Sequence, residues 1–119
     1  MKPINLAEKF ALFSEHWAPK VIAQMNDYQF KLVKFKGEFV WHNHPDTDEA
    51  FIVTHGTMAI HFRDGEVSVG PGEMFVIPKG KEHKTAAKTE CQAMLVEIAG
   101  TVNTGNAVDQ GTAPTEAWV

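Results

Sequence analysis

The stretch from Trp41 to Gly56, WHNHPDTDEAFIVTHG, sets three metal-capable side chains beside a β-type apolar run. His42 and His44 stand two residues apart, so on an extended strand both imidazoles leave the same face. Glu49 follows a turn-like PDTD segment and enters AFIV, where Phe51 and Val53 share its face. A strand, a reversal and a second strand would aim two imidazoles and one carboxylate at one point. That donor set suits Fe, Zn, Ni or Mn, so the predicted chemistry is that of a divalent transition metal. A further candidate ligand, His83, closes GEMFVIPKGKEH, in which Gly72, Pro78 and Gly80 shape turns ahead of the next strand.

The elements that must position these residues are short. Asn5 is placed to cap a helix over Leu6 to Phe10, with Glu8 three positions on as its capping-box partner. A helix that short does not stand alone in water and must dock on something. Pro19 to Met25 reads as a strand and Asn26-Asp27 as the turn after it. In the next strand, Tyr28 to Phe35, Phe30 and Leu32 take one face before Val33 and Phe35 take the other. This fits a strand covered on both sides, or one shifted at a bulge. Lys36-Gly37 interrupts the run, and Phe39 to His44 resumes it until Pro45.

Strands are then expected over Ala50–His55, Thr57–Phe62, Glu66–Val69, Met74–Ile77, His83–Ala86 and Ala93–Ile98, with Asp64-Gly65 as a hairpin turn. About eight or nine short strands with frequent turns predict an all-β sandwich or barrel. The tail from Gly100 to Val119 has no period and reads as a loop or arm, partly disordered at its end. Trp118 is available to anchor it in a groove or on a neighbouring subunit.

Composition narrows the function classes. A chain of 119 residues is one domain with a real core. Its one cysteine, Cys91, excludes an intrachain disulfide and a Cys-rich zinc site, and it reads as an ordinary buried or edge thiol. No apolar run reaches membrane-spanning length, and MKPINLAEKF lacks a hydrophobic signal core, so a soluble cytoplasmic protein with no membrane partner is expected. The formal charge of -4 argues against a nucleic-acid partner.

Other residues carry weaker expectations. His16 is read as superficial, and His55 as continuing the inward row of Glu49, Phe51 and Val53. His61 lies opposite the face of Met58, Ile60 and Phe62. Met58, Met74 and Met94 suit plastic core filling. Lys79, Lys81 and Lys84 surround His83 and suit either attraction of an anionic substrate or a solvated loop.

The chain resembles a single-domain member of the cupin superfamily, the small double-stranded β-helix proteins. The family's first motif is matched by Gly37, His42, His44, Glu49 and Gly56, and its second by Gly72, Pro78, Gly80 and His83. It departs from the pattern in having Gly37 one residue closer to His42 than is common, and Ala87 where an asparagine is usual. The resemblance covers residues 28–100, leaving an N-terminal helix-and-strand arm over 1–27 and a tail over 101–119, where GTVNTG at 100–105 also resembles small cupins.

The resemblance implies a jelly-roll-like barrel and a homodimer joined through N-terminal strands and sheet edges. It also implies one divalent metal ion per chain (Fe, Mn, Ni or Zn) held by His42, His44, Glu49 and His83. The implied function is an enzyme acting on a small oxygen-rich organic molecule by dioxygenase-like or other oxidoreductase chemistry. The alternatives are a metal-dependent isomerase of a sugar or keto acid, and a non-catalytic module that binds or senses a small ligand.

Overall fold

One 16-residue strand, His83–Ile98, ties the fold together. In the computed structural model, which describes residues 1–107 and 111–119, helix α1 (Leu6–Phe10) precedes seven strands. These are β1 (Lys20–Met25), β2 (Tyr28–Glu38), β3 (Glu49–His55), β4 (Met58–Phe62), β5 (Gly65–Val69), β6 (Met74–Ile77) and β7 (His83–Ile98). The first half of β7 pairs with β4, from Phe62 opposite His83 to Ala59 opposite Ala86. Its second half lies between β2, where Tyr28 faces Ile98, and β3, where Ala50 faces Val96. The path β1-β2-β7-β3-β6 and the β4–β5 hairpin therefore meet on β7, and every strand pairing among the described residues is antiparallel. This is the expected all-β jelly roll with one short helix.

Alternation along the strands builds the interior. Val33 and Phe35 of β2, Phe51 and Val53 of β3, Met58 and Ile60 of β4, and Ala93 and Leu95 of β7 point into one buried cluster. Burying each large apolar side chain contributes about 1.5–3 kcal/mol. The other face of β2 is covered as well. Leu32 and Ile22 pack with Phe10 of the helix, flanked by Leu6, Phe13 and Met94, so this is where α1 docks. The Asn5 side chain caps the helix by accepting from the Glu8 amide at 3.0 Å.

Both readings of β2 hold, since the strand is covered on two sides and its register to β7 also shifts between Phe35 and Gly37. Lys36-Gly37 thus kinks the strand without ending it, with Gly37 at φ +84°. For the same reason the expected strands His83–Ala86 and Ala93–Ile98 are one, since β2 stays paired with β7 on both sides of that shift. Gly56 shows a harder requirement: its φ is +74°, and a Cβ there would stand 2.5 Å from the Glu90 carbonyl oxygen.

Several expectations need correction. Phe39 to His44 is not a strand; only an isolated bridge between His42 and His83 forms there, because Phe39 and His42 are the residues whose amides reach β7. The β4–β5 reversal uses Arg63-Asp64, with Phe62 facing Gly65. Met74 is 57% exposed on β6 and fills no core, while Met58 is fully buried. The described end of the tail returns to β1, where Val21 donates to the Ala117 carbonyl and accepts from the Val119 amide, beside a parallel bridge to Trp118. The expectation of a partly disordered tail also covers residues 108–110, which lie outside the described residues. No helix is long and apolar enough to cross a membrane.

Candidate metal centre

Three separate segments deliver the four predicted residues. Glu49 opens β3, His83 opens β7, and His42 and His44 lie on the connection from β2 to β3. That connection has no strand ladder of its own and is clamped from outside. His42 and His83 exchange backbone hydrogen bonds at 2.9 Å in both directions, and the Gly80 amide donates to the His44 carbonyl at 2.9 Å. Between the two histidines, the Asn43 amide donates to Asn106 Oδ1 at 2.8 Å, and the Asn106 amide returns to the Asn43 carbonyl at 3.0 Å. The tail therefore helps hold the His-Asn-His segment.

The structure brings all four side chains together. One ligand atom from each of His42, His44, Glu49 and His83 lies within 4.8 Å of the others, and all four residues are buried. His44 Nε2 stands 3.0 Å from Glu49 Oε2, and His83 Nε2 stands 3.5 Å from Glu49 Oε1. These approaches are not aligned hydrogen bonds. His44 Nε2, His83 Nε2 and Glu49 Oε1 are buried with no hydrogen-bond partner. Buried polar atoms left so are costly and uncommon, and a cluster of nitrogen and carboxylate lone pairs is a donor set for a cation. The residues fit a divalent ion, and the cluster could hold one.

The outer ring atoms set the tautomers. His42 Nδ1 lies 2.8 Å from the Val40 carbonyl and His83 Nδ1 lies 2.9 Å from the Lys81 carbonyl, in each case the carbonyl two residues earlier. Since a carbonyl only accepts, each Nδ1 carries the proton and each Nε2 keeps its lone pair for the cluster. Burial pushes His42 down to about 4, with the His83 and His44 rings adding to it and the Val40 contact opposing. Burial alone would raise Glu49, but His44, His83 and the Glu97 carboxyl outweigh it and hold Glu49 below the ordinary carboxylate range. Burial and the Glu49 charge push Glu97 the other way, well above that range.

Beside His42 and Glu49 is a cavity of about 30 Å³, walled by Phe39, Phe51, Trp17, Thr85 and Asn103 among others. That volume admits one or two water-sized groups. Trp17 stacks on Phe39 with ring centroids 4.9 Å apart and planes 10° from parallel. It is held at φ +63° by hydrogen bonds to the Lys34 and Lys36 carbonyls.

Residues outside the cluster resolve as follows. His55 is exposed, because the register to β7 shifts between Val53 and His55 and breaks the inward row. His61 lies on the outside, 3.0 Å from Glu66, and His16 lies 2.8 Å from Glu90. Lys84 pairs with Glu38 at 2.6 Å and Lys81 with Asp64 at 3.5 Å, which favours the solvated-loop reading of these cations. Sequence reasoning missed the carbonyls behind His42 and His83, which no residue type announces. It also missed Lys31 and Glu97, both buried. Their signal was present: Lys31 shares strand parity with Val33 and Phe35, and Glu97 with Ala93 and Leu95.

Comparison with known proteins agrees with this geometry. The cupin-domain family model matches residues 31–99. The chain is 62% identical to a cupin-2 domain containing protein from Shewanella frigidimarina NCIMB 400 of known crystal structure, with a TM-score of 0.79 over 80% of this chain and 93% of that one. The crystal structure of protein NMB1881 from Neisseria meningitidis is similar at 34% identity and a TM-score of 0.75, over 82% of this chain and 99% of the other. The uncharacterized protein YdbB of Bacillus subtilis (strain 168) is 40% identical over 94 residues, covering 78% of this chain and 77% of YdbB. With a barrel of this topology, and with both cupin motifs converging on one buried cluster, the chain belongs to the cupin family.

Proposed function

We propose that this cupin holds one divalent ion on His42, His44, Glu49 and His83 and uses it for oxidoreductase, dioxygenase-like chemistry on a small oxygen-rich organic molecule. The observation that carries the reading is the convergence of three buried, unpartnered atoms, His44 Nε2, His83 Nε2 and Glu49 Oε1. A bound ion would supply Lewis acidity and, in the case of iron, electron exchange with dioxygen.

The chain's own residues do the rest. The Val40 and Lys81 carbonyls hold the His42 and His83 rings in the metal-binding tautomer. Phe39, Phe51 and Trp17 give the cavity an apolar wall. Among the described residues lining that cavity, only His42 and Glu49 are ionisable, and both belong to the cluster. Isomerisation of a sugar or keto acid needs a positioned acid or base, so the lining favours redox chemistry over that alternative.

Elemental analysis of untagged protein is expected to find about one equivalent of metal per chain, lost in His42→Ala and Glu49→Ala, with oxygen uptake when the metal is iron. No metal above background after reconstitution with Fe, Mn, Ni and Zn would overturn the reading. Turnover with Zn or Mn in anaerobic buffer would replace it with isomerisation. A ligand recovered tightly bound and unchanged would replace it with a binding module.

We also propose a homodimer. Its support is the apolar strip on the outside of β3 and β6, where Ile52 faces Met74 and Ala50 faces Val76, the two β6 residues being 57% and 48% exposed. Light scattering on Met74→Lys tests it, with a shift from dimer to monomer expected.

A further inference from the structure

Next to the cluster, the barrel interior holds two ionisable side chains that the metal reading does not use. Lys31 and Glu97 are 2% and 1% exposed, with Lys31 Nζ 3.0 Å from Glu97 Oε1. Lys31 Nζ also donates to the Thr101 carbonyl at 3.3 Å, and Thr101 is folded back on β7 by its hydroxyl, which donates to the Ile98 carbonyl at 2.6 Å. The register with Ala50 opposite Val96 sets Glu49 opposite Glu97 across β3 and β7. Side chains so placed have Cβ atoms about 4.5–5.5 Å apart. Both residues are buried on the same side of that strand pair. Glu97 Oε2, like Glu49 Oε1, is buried with no donor.

Stability does not account for this pair. Burying ionisable groups is costly, and an apolar pair of similar volume is often as stable or more so. What the pair provides is a fixed neighbour for Glu49. A carboxylate with an orphaned oxygen beside two imidazoles gains from a fixed neighbour. Glu97 across the strand pair, itself tied to Lys31 and through it to the Thr101 carbonyl, is such a neighbour.

We infer that Lys31 and Glu97 are positioning residues that hold the Glu49 carboxylate in its cation-ready orientation. The inference rests on the metal reading above. It also extends the site to the start of the tail, since the line runs from the Thr101 carbonyl through Lys31 and Glu97 to Glu49.

The test is calorimetric titration of the metal-free chain with Zn(II) near neutral pH, with thermal unfolding of each metal-free variant alongside. Glu97→Gln keeps an acceptor for Lys31 and an N–H to offer Glu49, and is expected to bind within about threefold of the native chain. Lys31→Met/Glu97→Leu removes both polar ends at similar volume. It is expected to match or exceed native stability without metal, yet bind Zn(II) about 10–100-fold more weakly, the usual cost of losing a partner behind a ligand. Glu97→Ala, which leaves Lys31 its Thr101 carbonyl, is the second loss variant and is expected to show the same weakening. Native affinity in either folded loss variant would overturn the inference while leaving the metal site intact. A native chain that takes up no Zn(II) would overturn both.

Discussion

His42 and His83 hold each other twice. Each backbone N–H donates to the other's carbonyl at 2.9 Å, and their rings stand 4.4 Å apart between centroids. The main-chain clamp is independent of the side chains, so either imidazole can be removed without unfastening the segment that carries it. His83→Ala is therefore expected to stay folded without metal, since it deletes a buried nitrogen that has no partner. The thermal stabilisation that Zn(II) gives the native chain is expected to vanish in it. Equal metal-induced stabilisation in both chains would remove His83 from the ligand set.

Metal-free protein is expected to lose stability in mild acid because of His42. Its ordinary value is 6.5 and burial lowers it to about 4 in the fold. Between those values the unfolded chain takes up a proton that the folded chain refuses. The His42 contribution is thus complete above about pH 6.5 and is lost as the pH falls toward about 4, amounting to about 3 kcal/mol. Urea midpoints across that window, compared with His42→Leu, check it. A His42→Leu profile as steep as the native one would assign the dependence elsewhere.

Gly56→Ala is expected to destabilise the fold by roughly 2–4 kcal/mol, since it adds a Cβ at φ +74° and 2.5 Å from the Glu90 carbonyl oxygen. Gly65→Ala is the control, with no atom within 4 Å of its added methyl group, and should change stability by under about 1 kcal/mol. Denaturant titration of the two variants distinguishes them. Similar values would mean that the close approach of the β3–β4 turn to β7 is easily relieved.

Cys91 is buried, and burial pushes its thiol up to about 11. The thiolate is the reactive form. A disulfide reagent at about pH 8 should leave the native chain unlabelled over hours and label it at once in denaturant. Rapid labelling of folded protein would show that the core around Cys91 opens.

Much of the barrel was legible because strand alternation reports burial directly. Parity grouped Val53 with Phe51 and Met58 with Ile60, and all four are in the core; His42, His44, Glu49 and His83, the set implied by the cupin motifs, form a cluster that the fold does assemble. What escaped was whatever depends on a partner far along the chain. Residues 87–92 read as a break between two strands until β2 is seen paired with Ala87, Cys91 and Gln92. His55 keeps the parity of Glu49 until the shift after Val53 turns it outward. The Val40 and Lys81 carbonyls have no sequence signature, because every residue carries a carbonyl.

The reach of β7 bears on the order in which this barrel can form during synthesis. β2, β3 and β4 are all made before the strand they share, and Tyr28 waits for Ile98. At about 5–20 residues per second, the ribosome needs several seconds to travel from β2 to the end of β7. Through that interval the β2 and β3 edges that β7 will cover stay unpaired, and the His42–His44 segment lacks its clamp to His83. Exposed strand edges of this kind favour aggregation, and the His42, His44, Glu49 and His83 cluster can close only once β7 has left the exit tunnel.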